Sequence, residues 1–199
     1  MEITPGESWT WSYRVFDGQQ FLGLNFTADN GHNYFFKTNF MVQRLQTFPE
    51  DGQPFSVHEA MLLNAYMEGL SAIGMHSNDS SSNVSTSMEI SLNAVACAQF
   101  VRVPKRTIEF GFIPYPGHLR HIALGQVVSL YSKDNRISDF IVLDEVSDNT
   151  DSAVRLMFAN REFKILKHML MLGASIKVPR SVICPFRGTI NNQHSMSYA

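Results

Sequence analysis

The chain is short of cysteine, of charge and of catalytic signatures, and each shortage narrows what it can be. Its 199 residues include only two cysteines, Cys97 and Cys184, and neither has partners at metal-ligand spacing. A disulfide scaffold and a zinc site are therefore not expected, and both read as reduced, buried thiols of a cytosolic protein. Cys97 lies between Ala96 and Ala98 in a helical pattern, a setting that does not activate a thiolate. Charged residues are 17% of the chain, but 44% is hydrophobic, so wholesale disorder is excluded and a folded core expected. No apolar run reaches the roughly 20 residues of a membrane span; "HMLMLGASI" is the greasiest stretch. The opening "MEITPGESW" lacks a basic start and an apolar run, so export is not expected, nor is glycosylation at "NFT" or "NVS".

Catalytic motifs are missing too. The twelve glycines form neither a GxxxxGK[ST] phosphate loop nor a GxGxxG turn, and no GxSxG elbow is present. His118 and His121 are three apart, but Pro114, Pro116 and Gly117 make their segment a loop without a nearby cysteine or carboxylate. They are expected as exposed loop histidines instead of zinc ligands. His58 reads as surface in the first turn of a helix, and His168 as structural within a strand over 162–172. Asp144 and Glu145 are adjacent, so in a strand they point to opposite faces and cannot converge as an acid–base pair. No catalytic residue, metal or cofactor is expected. A pI of about 6.4 and an acidic first half argue against a dedicated nucleic-acid binder.

What is present is unevenly distributed. Residues 1–100 hold ten acids against Arg14, Lys37 and Arg44, a net of −7, whereas residues 101–199 hold thirteen bases and eight acids, a net of +5. That split favours two units and gives the second a surface suited to an acidic partner. Aromatics concentrate in "WTWSYRVFDGQQFLGLNF", residues 9–26. Trp9, Trp11 and Tyr13 alternate with polar residues, Asp17-Gly18 is a turn dipeptide, and Leu22, Leu24 and Phe26 alternate beyond it. This is a β-hairpin with one apolar face, expected to pack on a helix.

A third strand follows over Tyr34–Phe40, then a Pro/Gly loop through "QRLQTFPEDGQP". "FSVHEAMLLNAYMEGL" opens with a capping box, Ser56 to Glu59, and its apolar face is expected to run through Val57, Ala60, Met61, Asn64, Met67 and Leu70, widened by Leu62, Leu63 and Tyr66. The polar stretch 76–87 reads as a mobile loop. A second capping box, Thr86 to Glu89, starts a helix running to about Arg102. From 107 to 187 the chain becomes a series of short apolar runs separated by turns such as "KDNR" and "SDNTD", the pattern of an antiparallel sheet curled into a small barrel or sandwich. The expected class is α+β: an N-terminal α/β domain at 1–103, a C-terminal antiparallel β-barrel-like domain at 104–187, and a disordered tail at 188–199.

The segment order resembles the ZapC family of bacterial cell-division proteins. "ITPGESWTWSY" has the family's Ile-x-Pro followed by Trp-x-Trp-x-Tyr, and "FLGLNF" stands where the family has a Leu-x-Leu strand. "FSVHEA" and "SLNAVACAQF" resemble its two helices, and "DFIVLDEVSDNTDSAVRLMFANREFKILKHMLMLGASIKVP" its paired strands ending in Leu-Gly-x-x-Ile-Lys. The chain departs from the family in its insert at 76–87 and at "PYPGHLRH". The resemblance implies a cytoplasmic, non-enzymatic protein at the mid-cell division site. It would bind FtsZ, the tubulin-like GTPase of the division ring, bundle its filaments and lower GTP turnover. It would act without nucleic acid or membrane insertion, with a monomer favoured. Leu22 and Leu24 are then the candidate apolar anchor, with Trp9 and Trp11 shaping the site by holding the hairpin on the helices. Arg155, Arg161, Lys164 and Lys167 would steer the protein to acidic surfaces. Two readings compete. One is a small-molecule regulator with a pocket in the barrel or between the domains; the other is an enzyme using His118 or His121.

Overall fold

The computed structural model describes residues 8–27, 31–74, 86–102, 111–117, 119, 121–134, 136–145, 153–160, 162–165 and 168–187, with backbone alone at 162–165 and 168. The expected loop at 76–87, apart from its last two residues, and the tail at 188–199 lie outside them.

An antiparallel meander comes first: β1 (Thr10–Phe16), β2 (Gln19–Thr27) and β3 (Asn33–Met41), in spatial order β1-β2-β3. Asp17 and Gly18 both have positive φ, 50° and 75°, which a two-residue type I′ turn requires. The register sets Trp11 against Leu24 and Tyr13 against Leu22, so one face gathers the apolar side chains of both strands. The outer edge of β1 is closed by the following loop, where Trp11 N–H donates to Gln53 O and Phe55 N–H to Trp9 O, each at 2.8 Å.

Helix α1 (Val57–Ala72) starts on the capping box read from the sequence. Ser56 Oγ accepts from the Glu59 N–H at 3.2 Å, and Glu59 Oε2 accepts from the Ser56 N–H at 2.5 Å. Its buried stripe is Glu59, Leu62, Leu63, Tyr66 and Leu70. The face expected through Val57 and Met61 is wrong, since they are 79% and 66% exposed. Glu59 sets the rotation: its Oε1 accepts from Trp11 Nε1–H at 2.8 Å in a buried bond, which turns the Glu59 edge inward. Helix α2 (Thr86–Phe100) is buried at every position from Ile90 to Cys97. Its small residues Ser91, Ala94 and Ala96 let neighbouring backbones approach on all sides.

The second half is antiparallel, as expected. Strands β4 (Val127–Tyr131), β5 (Ile137–Val142), β6 (Ala153–Phe158), β9 (Ser175–Pro179) and β10 (Ile183–Pro185) form a sheet in the order β10-β4-β5-β6-β9. Strands β7 (Glu162–Ile165) and β8 (His168–Met171) form a separate hairpin. The single strand expected over 162–172 is thus two strands, and the run 174–186 is broken by a 3-10 turn at Arg180–Val182 after Pro179. Among the described residues the sheet is open, with β10 and β9 at its ends.

Both faces of this sheet are covered. Val127, Ile141, Leu143 and Met157 face the helices and share one core with Trp11, Leu22, Tyr66 and Cys97. Val128, Phe140, Leu156 and Phe158 face a second core, closed by Ile122, Leu170, Val182 and Ile183. The two units expected on either side of residue 103 therefore meet in a common core. The helices join the sheets closely: Tyr66 Oη–H donates to Leu143 O at 3.1 Å, and a Cβ on Gly69 would lie 1.9 Å from Gly125 O.

Gly69→Ala should accordingly lower stability by about 1–3 kcal/mol through overpacking, against the roughly 1 kcal/mol gain in helix propensity it would bring on an open surface. A urea midpoint that falls at constant m-value is the expected result; a rise would mean that Gly125 moves aside freely.

Candidate functional site

The hairpin residues singled out from the sequence are core. Trp9 is 2% exposed, and Trp11, Leu22 and Leu24 are 0%. Trp11 stacks edge-on against Phe100 of α2 with centroids 5.0 Å apart, and Trp9 packs on Phe26 and Phe55. These contacts hold the meander on the helices. They also remove Leu22 and Leu24 as surface anchors, because the helix side of the sheet is the side that closes.

Arg155 is the second correction. Expected as a steering charge on the surface, it is 4% exposed. Its guanidinium donates to Cys97 O at 2.5 Å and Ala98 O at 3.2 Å in the last turn of α2, and to Val101 O at 2.9 Å just past its end, where carbonyls run out of N–H partners within the helix; Cys97 O also accepts from Val101 N–H at 3.3 Å. Asp144 pairs with it at 3.8 Å from a half-exposed position. Lys164 lies on β7, in register with Met169 of β8; Arg161 and Lys167 lie outside the described residues. His121 and His58 are exposed, and His118 lies outside the described residues. No cluster of three or more His, Cys, Asp or Glu side chains that could hold a metal occurs among the described residues.

Both thiols are buried. Cys97 Sγ lies 3.8 Å from Gly173 O, and Cys184 Sγ–H donates to Ser129 O at 2.8 Å. Burial pushes each up from 9.0 to about 11, with Arg155 and Arg187 respectively pulling the other way. Burial also raises the Tyr66 phenol.

Two exposed surfaces among the described residues gather apolar side chains beside charged ones. A cleft of about 520 Å³ lies between the end of β3 and the β7–β8 hairpin, lined by Phe40, Met41, Arg44, Glu89, Met169 and Met171 among others. Met169 and Met171 are 54% and 53% exposed, a large area for flexible apolar side chains. The second surface is the solvent face of the meander. There Phe16, Phe21 and Phe35 are half-buried side by side, Phe16 to Phe35 at 6.0 Å and Phe16 to Phe21 at 6.1 Å. Arg14 sits 4.2 Å over Phe35, and Lys37 lies 3.9 Å from Phe21 and 4.6 Å from Phe16. Each such contact is worth only about 0.5–1 kcal/mol at an exposed site. The Phe35 ring lies over Gly23, where a Cβ would come within 2.1 Å of it. Sequence reasoning passed over this face because the tryptophans drew attention to the other one. The signal was parity: Arg14 and Phe16 alternate with Trp11, Tyr13 and Val15.

No protein-family model matches the chain, and no curated protein matches it in sequence.

Arg155→Ala should lower stability by at least about 2 kcal/mol by stranding buried carbonyls, and Arg155→Lys should recover only part, since an ammonium cannot span three acceptors. Equal stability of Arg155→Ala and the parent in urea would return Arg155 to the surface. The thiols make a second expectation. Their stabilising contribution is complete below pH about 9, the unfolded value, and is lost as pH rises through the folded value of about 11. Ellman's reagent at pH 8 should label neither cysteine in the native protein and both in denaturant; rapid native labelling would contradict their burial.

Proposed function

We propose that the protein is a non-enzymatic cell-division factor that binds FtsZ and favours lateral association of its filaments, stabilising the division ring and lowering GTP turnover. The partner is suggested by the resemblance to ZapC in segment order, from the Trp-x-Trp-x-Tyr start to the Leu-Gly-x-x-Ile-Lys ending. On that reading the double-faced second sheet is the family's barrel-like domain. The observation that carries a binding function is the methionine-lined cleft. Exposed Met169 and Met171 stand beside Met41 and Phe40, an apolar surface able to repack around a partner. Arg44 and Glu89 rim it, and Lys164 is on the same hairpin as the two methionines. A protein that binds filament better than free subunit shifts assembly by that difference, with no chemistry required.

The cleft also favours a second reading. It is lined from both halves of the chain, by Met41, Arg44 and Glu89 on one side and by Met169, Met171 and Ala174 on the other, the place expected for the ligand of a small-molecule regulator. A thermal-shift screen of metabolites separates the two.

Sedimentation with FtsZ, with and without GTP, tests the first reading. Co-pelleting, more light scattering and slower phosphate release are expected. Met169→Asp with Met171→Asp should weaken co-pelleting at least about tenfold, as loss of a central anchor does, while the melting temperature holds. Failure to co-pellet at low salt would sink the FtsZ reading.

A further inference from the structure

The solvent face of the meander has no role in the fold comparable to that of its buried side, and its chemistry is specific. Cross-strand register places Arg14 beside Phe21, Gly23 beside Lys37 and Asn25 beside Phe35. Arg14 Nη2–H also donates to Asn25 Oδ1 at 3.1 Å, which fixes its guanidinium over the Phe35 ring. Two cations are thus held on three phenyl rings, above a glycine whose missing side chain lets Phe35 lie flat.

The two cations are unusual in their surroundings. Residues 1–100 have only three basic side chains against ten acidic ones, and two of the three stand on this face. Neither Arg14 nor Lys37 has a carboxylate partner among the described residues, whose ion pairs are Arg136 with Asp134 and Arg155 with Asp144. Both remain exposed. A surface that only needed solubility in an acidic half would not place its scarce cations over aromatic rings and leave them without acids.

We infer that this face docks an acidic peptide segment bearing aromatic side chains, supplied by a partner protein. Carboxylates of the segment accept bidentately from the fork of Arg14 and pair with Lys37. Its rings pack in the offset and edge arrangements already present among Phe16, Phe21 and Phe35. An extended segment whose acids and rings take turns at every second residue presents both on one face, at the two-residue period of the strands below. Nucleic acid fits less well: stacking on exposed rings needs a basic track for successive phosphates, and here two cations stand in a half of net −7. The inference stands apart from the FtsZ reading and is tested without FtsZ.

The probe is a fluorescein-labelled twelve-residue peptide, Asp-Ser-Phe-Ser repeated three times so that acid and ring share one face of the extended chain, followed by anisotropy with the full chain. It should bind at low salt, and the corresponding lysine–phenylalanine peptide should not. Arg14→Glu with Lys37→Glu should weaken binding at least about tenfold, with far-UV circular dichroism unchanged. Should that pair fail to fold, Arg14→Gln with Lys37→Gln removes the charges without reversing them and should weaken binding in the same direction. Amide shifts on titration should fall on β1–β3, not on the β7–β8 hairpin. No binding of the acidic peptide, equal binding by the charge variants, shifts confined to the hairpin, or preference for an oligothymidine competitor would each overturn the inference.

Discussion

A buried guanidinium carries the join between the two halves. Helix α2 runs between two sheets with eight successive buried residues, and the last of them, Cys97, has a carbonyl that Arg155 reaches in a buried bond. Arg155, projecting from β6, accepts the task with three hydrogen bonds and sets a positive charge at the negative end of the helix dipole. An arginine suits this place because its planar fork reaches several acceptors at once. Asp144 offsets the charge from the rim. The cost is visible as well, since Arg155 Nε is buried with no partner among the described residues. Because β6 is an interior strand of the sheet, paired with β5 and β9, fixing it to α2 fixes the sheet's inner face against both helices. Cys97 lies in the shared core closed there, and burial in it pushes its thiol up.

Local chemistry made some elements legible before any coordinates. Asp17-Gly18 demanded a two-residue hairpin and Ser56 with Glu59 fixed the start of α1, whereas Thr86, read as the cap of α2, lies one residue inside it. What escaped was decided by contacts from far along the chain. A cation inside a strand reads as surface unless one knows that carbonyls more than fifty residues away will be left at its head. The α1 stripe was misplaced because Glu59 counts as polar, whereas a Trp11 bond makes it a core residue. The division into β7 and β8 was hidden because no Gly, Pro, Asn or Asp stands between Ile165 and His168, so nothing in the sequence punctuates the run.

The opening aromatic stretch shows the limit of periodicity most plainly. Parity states which residues share a face, never which face is outward. In residues 9–26 both faces are aromatic: Trp9, Trp11, Leu22 and Leu24 on one, Phe16 and Phe21 on the other. Only the helices decide, since the larger indoles bury more area and Trp11 finds an acceptor on α1. The stretch is thus both a greasy hairpin and a patterned surface, on opposite sides of one sheet.

The two open surfaces constrain how such a protein would bring filaments together. Met41 pairs in register with Phe21 and also lines the methionine cleft, so the cationic-aromatic face and the cleft abut at the end of β3. Abutting surfaces act on one bound partner, where the second contact gains from the high effective concentration set by the first. They do not reach two filaments at once. Under the proposed function, affinity for a single filament and the bridging of neighbours are then separate properties with separate origins. On that reading the first belongs to the methionine cleft. The second calls for two copies of the chain joined through some other part of the surface, so that each offers its cleft to a different filament.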